Sequence, residues 1–563
     1  MSGTDSEKDT PRRVILLGLD GGTFSLLRPW IEEGLMPNLG KIMDQGTWGD
    51  LTSTIPATTP PAWSTCVTGK NPGKHGIYDF RESFLRDPQR SLVNSKSLRA
   101  KKLWQILSDH GKKVGLVSVP LTYPPEAVNG FAISGLLTPG PESTYTYPPD
   151  LKEQLIRAIG DFVVNIDIPQ YDVNALEDAL AFLRDILHSL HKRKDAFFHL
   201  MAKHEWDFFM IVFIFADRIQ HLFWKYIDPQ TELYHTKRAS LLREKIRECY
   251  RAFDEMLGQL LARLDEETQL LIMSDHGFGP TRAWIFVNTF LARLGLLKLK
   301  PGKAITKFLF CQAEGLGEAP LAKRLLPEKF QRAVRHRIRA TRSSFRSDVE
   351  SAIDWDNTKA FFASIASQGI FINVKRNGLG LVDPGQEYGQ LREFIKEKLL
   401  ELRDPWTGEQ VVDKVMFKEE IYSGSEAQFA PDLIFVAREY AYLGRQHFGY
   451  LKIIRSADKV PVGFHRANGI FIARGSMIQR GKQIQGANIA DIAPMVMYTM
   501  GLPVPDDMDG KVLEGALREE ILRSRPVEYA RAELGPESEQ EEIYSAEESE
   551  KIKERLRSLG YIE

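Results

Sequence analysis

Hydrophobic residues in this chain gather in short uninterrupted runs rather than in an alternating pattern. Such runs are typical of strands that are buried on both faces, as in a parallel sheet covered by helices. A run of the same character lies late in the chain, at 469–475. The runs before residue 300 span 14–19, 113–119, 208–216 and 270–274.

The segments between the runs have a helical period. Over 174–203 and 236–265, Leu, Ile, Phe and Met recur three or four residues apart among charged side chains, as in helices with one buried face. Segment 489–502 predicts a packed helix that ends at Gly501, because two prolines follow. This order predicts an α/β fold with a doubly wound, mostly parallel sheet sandwiched by helices and a helical cap insertion.

Composition changes along the chain predict five segments. Residues 321–347 hold nine Lys or Arg and one Glu, which indicates a basic helical cap. Near the acidic end, Ser545 and Glu548 have the spacing of a capping box before a short helix. The segments are a disordered N-terminus (1–11), the first part of an α/β core (12–300), the cap (301–350), the second part of the core (351–515) and an acidic helical tail (516–563).

The composition is that of an ordinary globular protein. The net charge is −1, so the protein as a whole does not attract nucleic acid electrostatically, and we expect no nucleic-acid partner. The three cysteines, Cys66, Cys249 and Cys311, are far apart, which fits a reducing compartment. The first dozen residues are polar, and no apolar run reaches the roughly 20 residues that span a bilayer. We therefore expect no signal peptide, no transmembrane segment and a cytoplasmic location.

Three aspartates and three histidines lie at or near the ends of apolar runs. In doubly wound sheets, ligands bind at the carboxyl ends of the strands, so we expect these side chains to converge. They are enough to hold two divalent metal ions with an open position on each. The six residues are Asp20, Asp217, His221, Asp275, His276 and His465.

The spacing within this set also matters. Asp217 and His221 are four residues apart, so both face one metal if a helical turn follows the strand. Asp275 and His276 are adjacent and converge only where the chain turns. Each pair alone is more often structural than functional, and an isolated His465 is more often a satisfied histidine. It is the joint placement that predicts a metal centre, and such ligands suit Zn, Mn or Fe.

A hydroxyl nucleophile is offered by the segment TSTIPATTPPAWSTCVTG. Most of its threonines are expected to be caps or turn residues. A hydroxyl beside a metal ion has a lowered pKa, and a helix that starts near Pro60 and Pro61 would hold it at the positive end of the helix dipole. On these grounds Thr58 and Thr59 remain alternatives.

Taken in order, these residues resemble the type I phosphodiesterase/nucleotide pyrophosphatase family of the alkaline phosphatase superfamily. The family order is Asp, nucleophilic Thr, Asp-x-x-x-His, Asp-His and a distant His. Its nucleophile segment matches TPPAWSTCVTGKNPGKHGI, which makes Thr59 the nucleophile. The resemblance covers about residues 12–300 and 440–515.

The resemblance implies a hydrolase with two divalent metal ions, zinc in the family and manganese as the alternative. It implies that Thr59 attacks a phosphodiester or phosphomonoester and forms a phosphoenzyme, which water then hydrolyses. One metal would be held by Asp217, His221 and His465. The other would be held by Asp20, Thr59, Asp275 and His276.

One position departs from the family pattern. Family members usually carry Asn at the place of Phe80, where it helps to bind the oxygens of the transferred group. We expect Arg81 or a backbone N–H to take over that role. The departure leaves the substrate open among nucleotides, lipid head groups, glycan phosphates and phosphonates.

Three other classes of protein are alternatives to this family. A sulfatase would need Cys or Ser at position 59 and Arg at position 63, where this chain has Thr59 and Trp63. A phosphomutase of the same superfamily is an alternative enzyme, and a non-catalytic binding protein on this fold is an alternative of another class. The basic segment 321–347 is expected to be a solvated cap helix. It is also the feature that favours the binding protein, or else a lid whose Arg335 and Arg339 grip a phosphate-rich or lipid-like substrate. The oligomeric state is open.

Overall fold

The computed structural model describes residues 13–166, 168–300, 350–376, 379–448, 452–457, 462–532 and 543–562. Two compact units make up the chain. The first, called the core unit below, comprises Met1–Pro280, Tyr422–Ala430 and Val462–Leu559. The second comprises Thr281–Ile421, Pro431–Pro461 and Gly560–Glu563. The predicted N-terminal segment 1–11 and the predicted basic segment 321–347 lie outside the described residues.

The strands are numbered in chain order over the described residues. They are β1 (Arg13–Leu19), β2 (Thr47–Thr52), β3 (Val114–Val119), β4 (Gly130–Ser134), β5 (Thr146–Tyr147), β6 (Phe208–Phe213), β7 (Thr268–Met273), β8 (Gly277–Pro280), β9 (Ala283–Phe286), β10 (Ala360–Phe362), β11 (Gly369–Ile372), β12 (Val412–Phe417), β13 (Leu433–Ala437), β14 (Tyr442–Arg445), β15 (Ile454–Ser456), β16 (Gly463–Arg466), β17 (Asn468–Arg474), β18 (Lys482–Gln483), β19 (Ala487–Asn488), β20 (Val504–Pro505) and β21 (Tyr529–Ala530).

The α-helices are numbered in the same way. They are α1 (Phe24–Glu32), α2 (Pro37–Asp44), α3 (Thr59–Thr68), α4 (Pro72–His75), α5 (Leu103–Asp109), α6 (Leu151–Ile159), α7 (Leu176–Lys203), α8 (Phe215–Ile227), α9 (Lys237–Leu261), α10 (Val287–Arg293), α11 (Gln386–Leu400), α12 (Lys418–Ile421), α13 (Ile492–Thr499), α14 (Glu519–Ser524) and α15 (Ala546–Leu559). Short 3-10 helices cover Ile168–Gln170, Glu232–His235, Glu350–Ala352, Trp355–Asn357, Ser425–Phe429, Ile489–Asp491 and Glu514–Ala516.

A ten-stranded sheet forms the centre of the core unit. Its order is β18-β2-β17-β7-β1-β6-β3-β4-β5, and β19 also pairs with β2. The five central strands β7, β1, β6, β3 and β4 are mutually parallel. Strand β17 runs antiparallel between β7 and β2, and β5 is antiparallel to β4. The mostly parallel α/β sheet predicted from the apolar runs is confirmed.

Both faces of this sheet are covered, which is why its central strands are uniformly apolar. In β1, Val14 and Leu16 belong to one apolar cluster together with Trp63 of α3. Their neighbours Ile15 and Leu17 point to the opposite face and are also fully buried. A strand without a solvent-facing side has no reason to alternate polar and apolar residues.

Two of the predicted boundaries are shifted. The apolar run 208–216 is not one strand, because β6 ends at Phe213 and α8 begins at Phe215. The first turn of α8 is as buried as the strand, so hydrophobicity could not mark the change. The packed helix predicted over 489–502 is a 3-10 turn followed by α13, which ends at Thr499.

The second unit is built on a seven-stranded sheet. The strand order is β10-β11-β13-β14-β9-β15, with β12 paired to β13. All its pairings are antiparallel except that of β14 with β9. Helix α11 buries Ile395 and Leu399. In sequence, Thr281–Ile421 and Pro431–Pro461 of this unit lie between parts of the core unit.

The predicted capping box before α15 is present. The backbone N–H of Ser545 donates to Glu548 Oε2 at 2.9 Å, and the backbone N–H of Glu548 donates to Ser545 Oγ at 3.2 Å. These two bonds satisfy donors that a free helix end would leave exposed. Among the described helices, none combines the length and apolar character that crossing a membrane requires.

A buried histidine in α4 predicts a pH dependence of stability. The backbone N–H of Ile77 donates to His75 Nδ1 at 3.2 Å, and His75 Nε2 lies 3.0 Å from Thr65 Oγ1. Burial lowers the pKa of His75 to about 3. In the unfolded chain His75 is therefore protonated below about pH 6.5, whereas in the folded chain it stays neutral until about pH 3. We expect this residue to cost about 1.4 kcal/mol of stability per pH unit as the pH falls from 6.5 towards 3.

The check is urea unfolding of the wild type and of His75→Gln between pH 4 and pH 7. The variant loses a hydrogen bond at every pH but also loses the titrating group. The stability difference between the two proteins should therefore shrink as the pH falls. A difference that stays constant over this range would contradict the assignment.

Candidate metal centre

All seven residues predicted as metal ligands lie in the core unit, and none is more than 2% exposed. Three elements deliver the acidic residues: Asp20 follows β1, Asp275 follows β7, and Asp217 lies in the first turn of α8. The others are His276 beside Asp275, His221 one turn further along α8, His465 on β16 and Thr59 at the first position of α3.

Strand register brings these side chains to one edge of the sheet. Strand β1 pairs with both β6 and β7, and the last pairs are Leu19 with Phe213 and Gly18 with Met273. The backbone N–H of Asp20 donates to Phe213 O at 3.0 Å, and that of Asp217 donates to Asp20 O at 3.1 Å. The carboxyl ends of the three strands therefore finish together, and the predicted convergence is found.

Within this cluster, two groups of three potential ligands have their atoms within 4.8 Å of one another. His276 belongs to both groups. In addition, His221 Nε2 lies 3.2 Å from Asp217 Oδ1 and 3.1 Å from His465 Nε2. The groups are Asp217 with His276 and His465, and Asp20 with Asp275 and His276.

Backbone carbonyls orient two of the imidazoles. His465 Nδ1 donates to Ala57 O at 3.0 Å, and His276 Nδ1 donates to Gly277 O at 3.1 Å. The Nε2 lone pairs are then left for the cluster, as in histidines that ligate metals. Burial lowers the pKa of His465 to about 4 and takes that of His276 well below its usual range. Both rings are therefore neutral at pH 7, the form that binds a metal.

In each of the three carboxylates, one oxygen accepts a hydrogen bond from a neighbouring donor. Asp20 Oδ2 accepts from Trp63 Nε1 at 3.2 Å. Asp275 Oδ1 accepts from the backbone N–H of Gly21, also at 3.2 Å. Asp217 Oδ2 accepts from Arg218 Nη1 at 3.0 Å. In this way the second oxygen of each carboxylate is aimed at the cluster.

The remaining oxygens of Asp20 and Asp275 lie in surroundings that favour bound cations. Asp20 Oδ1 and Asp275 Oδ2 are buried and have no hydrogen-bond partner among the described residues. Burial, and after it the neighbouring carboxylates, raises the pKa of Asp20 and Asp275 well above the usual range. For Asp217, burial acts in the same direction but is outweighed, chiefly by His221, and the pKa falls. Divalent cations would supply the missing positive charge, so the donor set fits such ions.

The hydroxyl of Thr59 lies beside this cluster. Its Oγ1 is 3.3 Å from His276 Nε2. Thr58 is the N-cap of α3, yet its side chain makes no capping bond, and its Oγ1 is buried without a partner among the described residues. The contact with the shared histidine favours Thr59 over Thr58, the two alternatives that the residue pattern left open.

Arg81, the expected substitute for the family Asn, is engaged elsewhere. Its Nε donates to Arg90 O at 2.8 Å, and its Nη2 donates to Gln89 O at 3.4 Å. Phe80 is fully buried. A contact between Arg81 and the transferred group stays a prediction.

Two residues that support the ligands were missed in the sequence. Trp63 lies four residues after Thr59, so one helix face carries both. A Cβ on Gly18 would lie 2.3 Å from the Trp63 indole, which explains the glycine inside an apolar strand. Arg218 is the other residue. It could have been found in the sequence, because it is a charged residue directly after Asp217 at the end of an apolar run.

We expect Trp63→Phe to weaken metal binding by about 10- to 100-fold, the usual effect of losing a residue that orients a ligand. The reason is that Asp20 Oδ2 loses its donor while the packing is largely kept. The measurement is metal content after dialysis against a weak chelator. Trp104→Phe, in the same apolar cluster, is the control and should keep its metal. Equal loss in both variants would point to general destabilisation instead.

Fold and donor set together define an α/β protein with an Asp- and His-rich cluster at the carboxyl edge of its sheet. The sequence model of the type I phosphodiesterase/nucleotide pyrophosphatase family matches residues 14–447. The chain therefore belongs to this family, within the alkaline phosphatase superfamily, and is a hydrolase by class. The match ends before His465, so that ligand rests on the geometry.

Solved structures with a similar fold share little sequence with the chain. A phosphonoacetate hydrolase from Sinorhizobium meliloti 1021, solved with phosphonoformate, has 15% identity and a TM-score of 0.50, and the match covers 88% of this chain and 96% of that one. The human ectonucleotide pyrophosphatase/phosphodiesterase 5 has 14% identity and a TM-score of 0.46, with 90% and 98% covered. No curated protein matches the chain. At such identity the first structure supports the fold alone.

Proposed function

We propose that the protein hydrolyses phosphodiester or phosphomonoester bonds with two divalent metal ions and Thr59 as the nucleophile. The observation that carries the proposal is a buried hydroxyl beside two overlapping groups of Asp and His ligands. Asp217, His221 and His465 would hold one metal, and Asp20, Thr59, Asp275 and His276 the other. Because His276 belongs to both observed groups, its removal should affect both ions.

The bound ions would lower the pKa of the Thr59 hydroxyl and offset charge on the phosphoryl and leaving oxygens. The Thr59 oxygen attacks phosphorus, the bond to the leaving ester oxygen breaks, and a phosphothreonine forms. Water then attacks the same phosphorus, which releases phosphate or a phosphomonoester and restores Thr59. Asp20, Asp217 and Asp275 stay fixed throughout, since Trp63, Arg218 and the Gly21 N–H hold one oxygen of each.

Ligand chemistry alone does not select the metal. Asp and His donors suit several divalent ions, and zinc, with manganese as the alternative, follows the family resemblance. The cytoplasmic location and a lipid-like substrate stay predictions of the sequence.

The test is hydrolysis of bis-p-nitrophenyl phosphate, p-nitrophenyl phosphate and p-nitrophenyl sulfate by protein of known metal content, with and without chelator. Turnover of a phosphate ester that chelator abolishes is the expected result. Two bound ions without any ester hydrolysis would favour the phosphomutase alternative. Protein without metal and without turnover would overturn the proposal in favour of a binding protein.

A further inference from the structure

A short segment of the core unit, Tyr422–Ala430, has no part in the reaction proposed above. In sequence it interrupts the second unit, and it contains the 3-10 helix Ser425–Phe429. This helix packs against α4. The two backbones approach closely, because a Cβ on Gly73 would lie 2.5 Å from Ser423 O. The segment therefore packs against the part of the chain that follows α3, the helix that begins at Thr59.

Tyr422 joins this segment to the loop that precedes the proposed nucleophile. Its hydroxyl donates to Ile55 O at 2.6 Å, and the residue is 6% exposed. In the same loop, Ala57 O accepts from His465 Nδ1 at 3.0 Å. The loop then continues into α3 at Thr59. One tyrosine hydroxyl thus holds the stretch of backbone that both orients a metal ligand and leads to the nucleophile.

The ring of Tyr422 is held as well as its hydroxyl. It lies edge-on to the ring of Tyr78, with the centroids 5.3 Å apart and the planes at 64°. The hydroxyl of Tyr78 donates to Glu426 O at 2.8 Å, so each tyrosine bonds to a backbone carbonyl of another segment. A buried tyrosine that is fixed at both its ring and its hydroxyl is a rigid link between segments.

Other contacts fasten the far end of the segment to the core unit. Arg86 forms an ion pair with Glu426, and its guanidinium lies 4.3 Å from the centroid of the Phe429 ring. Ser83 Oγ donates to Phe429 O. The position of Tyr422 is therefore set by several contacts besides its bond to Ile55 O. Tyr422 is the fixed partner in that bond, and the loop is the partner that it holds.

The loop between β2 and α3 depends on partners outside itself. Pro56 has no N–H to donate, and the side chain of Thr58 makes no capping bond. Ile55 O and Ala57 O both accept from residues that are distant in sequence. These two tertiary hydrogen bonds therefore help to set the conformation of the loop.

We propose that Tyr422 is a positioning residue of the metal centre. Its hydroxyl fixes the loop at Ile55, and the loop in turn presents Ala57 O to His465 and sets the place of Thr59. The part that concerns Thr59 rests on the proposed function, whereas the part that concerns His465 needs only a bound metal ion. Without the hydroxyl, Ile55 O loses this donor and the loop gains freedom. His465 and Thr59 are then held less precisely.

The first experiment is zinc binding by the full-length protein and by its Tyr422→Phe variant, measured by competition with a chelator. The substitution removes one oxygen atom and keeps the ring beside Tyr78. It should raise the dissociation constant for zinc about tenfold, the lower end of the loss expected when the support of a ligand is disturbed. Unchanged zinc affinity would overturn the proposal.

Tyr498→Phe is the matched control. Tyr498 is 3% exposed and donates its hydroxyl to Arg525 O at 2.7 Å, so this variant loses a buried bond of the same kind outside the loop. Both variants should lower the melting temperature by a similar amount, and zinc affinity should fall in Tyr422→Phe alone. Equal weakening of zinc binding in both variants would mean general destabilisation and would refute the assignment.

The second experiment measures kcat and KM at saturating zinc on the ester that the wild type cleaves best. Tyr422→Phe should lower kcat about tenfold, because a misplaced reacting group reacts more slowly. Its KM, and both constants of Tyr498→Phe, should stay as in the wild type. Wild-type kcat in Tyr422→Phe would overturn the placement of Thr59 by this residue. A wild type without turnover would contradict the proposed function, and the zinc comparison would then decide the role of Tyr422.

Discussion

Thr59→Ala should lower phosphate-ester turnover by about a thousandfold or more, as loss of a nucleophile does in other enzymes with covalent intermediates. The substitution removes the oxygen that lies 3.3 Å from His276 and leaves the six Asp and His ligands in place. Fold and metal content should therefore be kept. The measurements are kcat on the best nitrophenyl ester, metal analysis and the melting temperature.

Thr58→Ala is the matched control. Thr58 is the adjacent residue, equally buried, and its hydroxyl makes no capping bond. Its removal should therefore cost little stability and little activity. Substantial turnover in Thr59→Ala would mean that water attacks phosphorus directly. Equal losses in both variants would mean that the local helix start, and not one hydroxyl, is what matters.

Asp275→Asn should change stability in opposite directions with and without metal. In chelated protein the variant should be the more stable by about 1–3 kcal/mol, the scale of a buried polar atom without a hydrogen bond, because Asp275 Oδ2 accepts no hydrogen bond among the described residues and two other carboxylates lie nearby. With metal present the variant should be the less stable, since it loses a charged ligand. Thermal unfolding in zinc and in chelator measures both effects.

Asp254→Asn tests whether a stability change that reverses sign with metal is specific to the Asp and His cluster. Asp254 is also a buried carboxylate, but it accepts from the backbone N–H groups of Asn38 and Leu39 at 3.1 and 2.8 Å. Its replacement should destabilise the protein to the same extent in zinc and in chelator. If Asp275→Asn behaves in this way too, the cluster does not hold the ion through Asp275.

The sheet and most of the cluster could be predicted because they depend on local sequence. A strand buried on both faces is apolar along its length, and a polar residue that follows it lies at the functional edge, as Asp20 and Asp275 do. The i, i+4 spacing of Asp217 and His221 needed only a helix, which α8 supplies. The same logic placed the helix boundary wrongly, because α8 starts with buried residues that continue the apolar run.

Contacts between distant segments could not be predicted in this way. His465 reaches the cluster through the pairing of β16 with β8, and its own neighbourhood in the sequence gives no sign of that partner. Trp63 is a ligand support only because α3 packs over Gly18 of β1. The role of the basic segment 321–347, with Arg335 and Arg339, stays a prediction, since it lies outside the described residues.

The two prolines that open α3 limit what this helix can offer to a phosphate. A helix start normally presents four free N–H groups to an anion. Here Pro60 and Pro61 have none, and the N–H of the N-cap Thr58 is bonded to Pro56 O, so in the described chain the N–H of Thr59 alone is left from that set. The helix start carries Thr59, the proposed nucleophile, but it offers few N–H groups to a free phosphate. Once its metal ions are removed, the protein should therefore have little affinity for free phosphate at this end of α3.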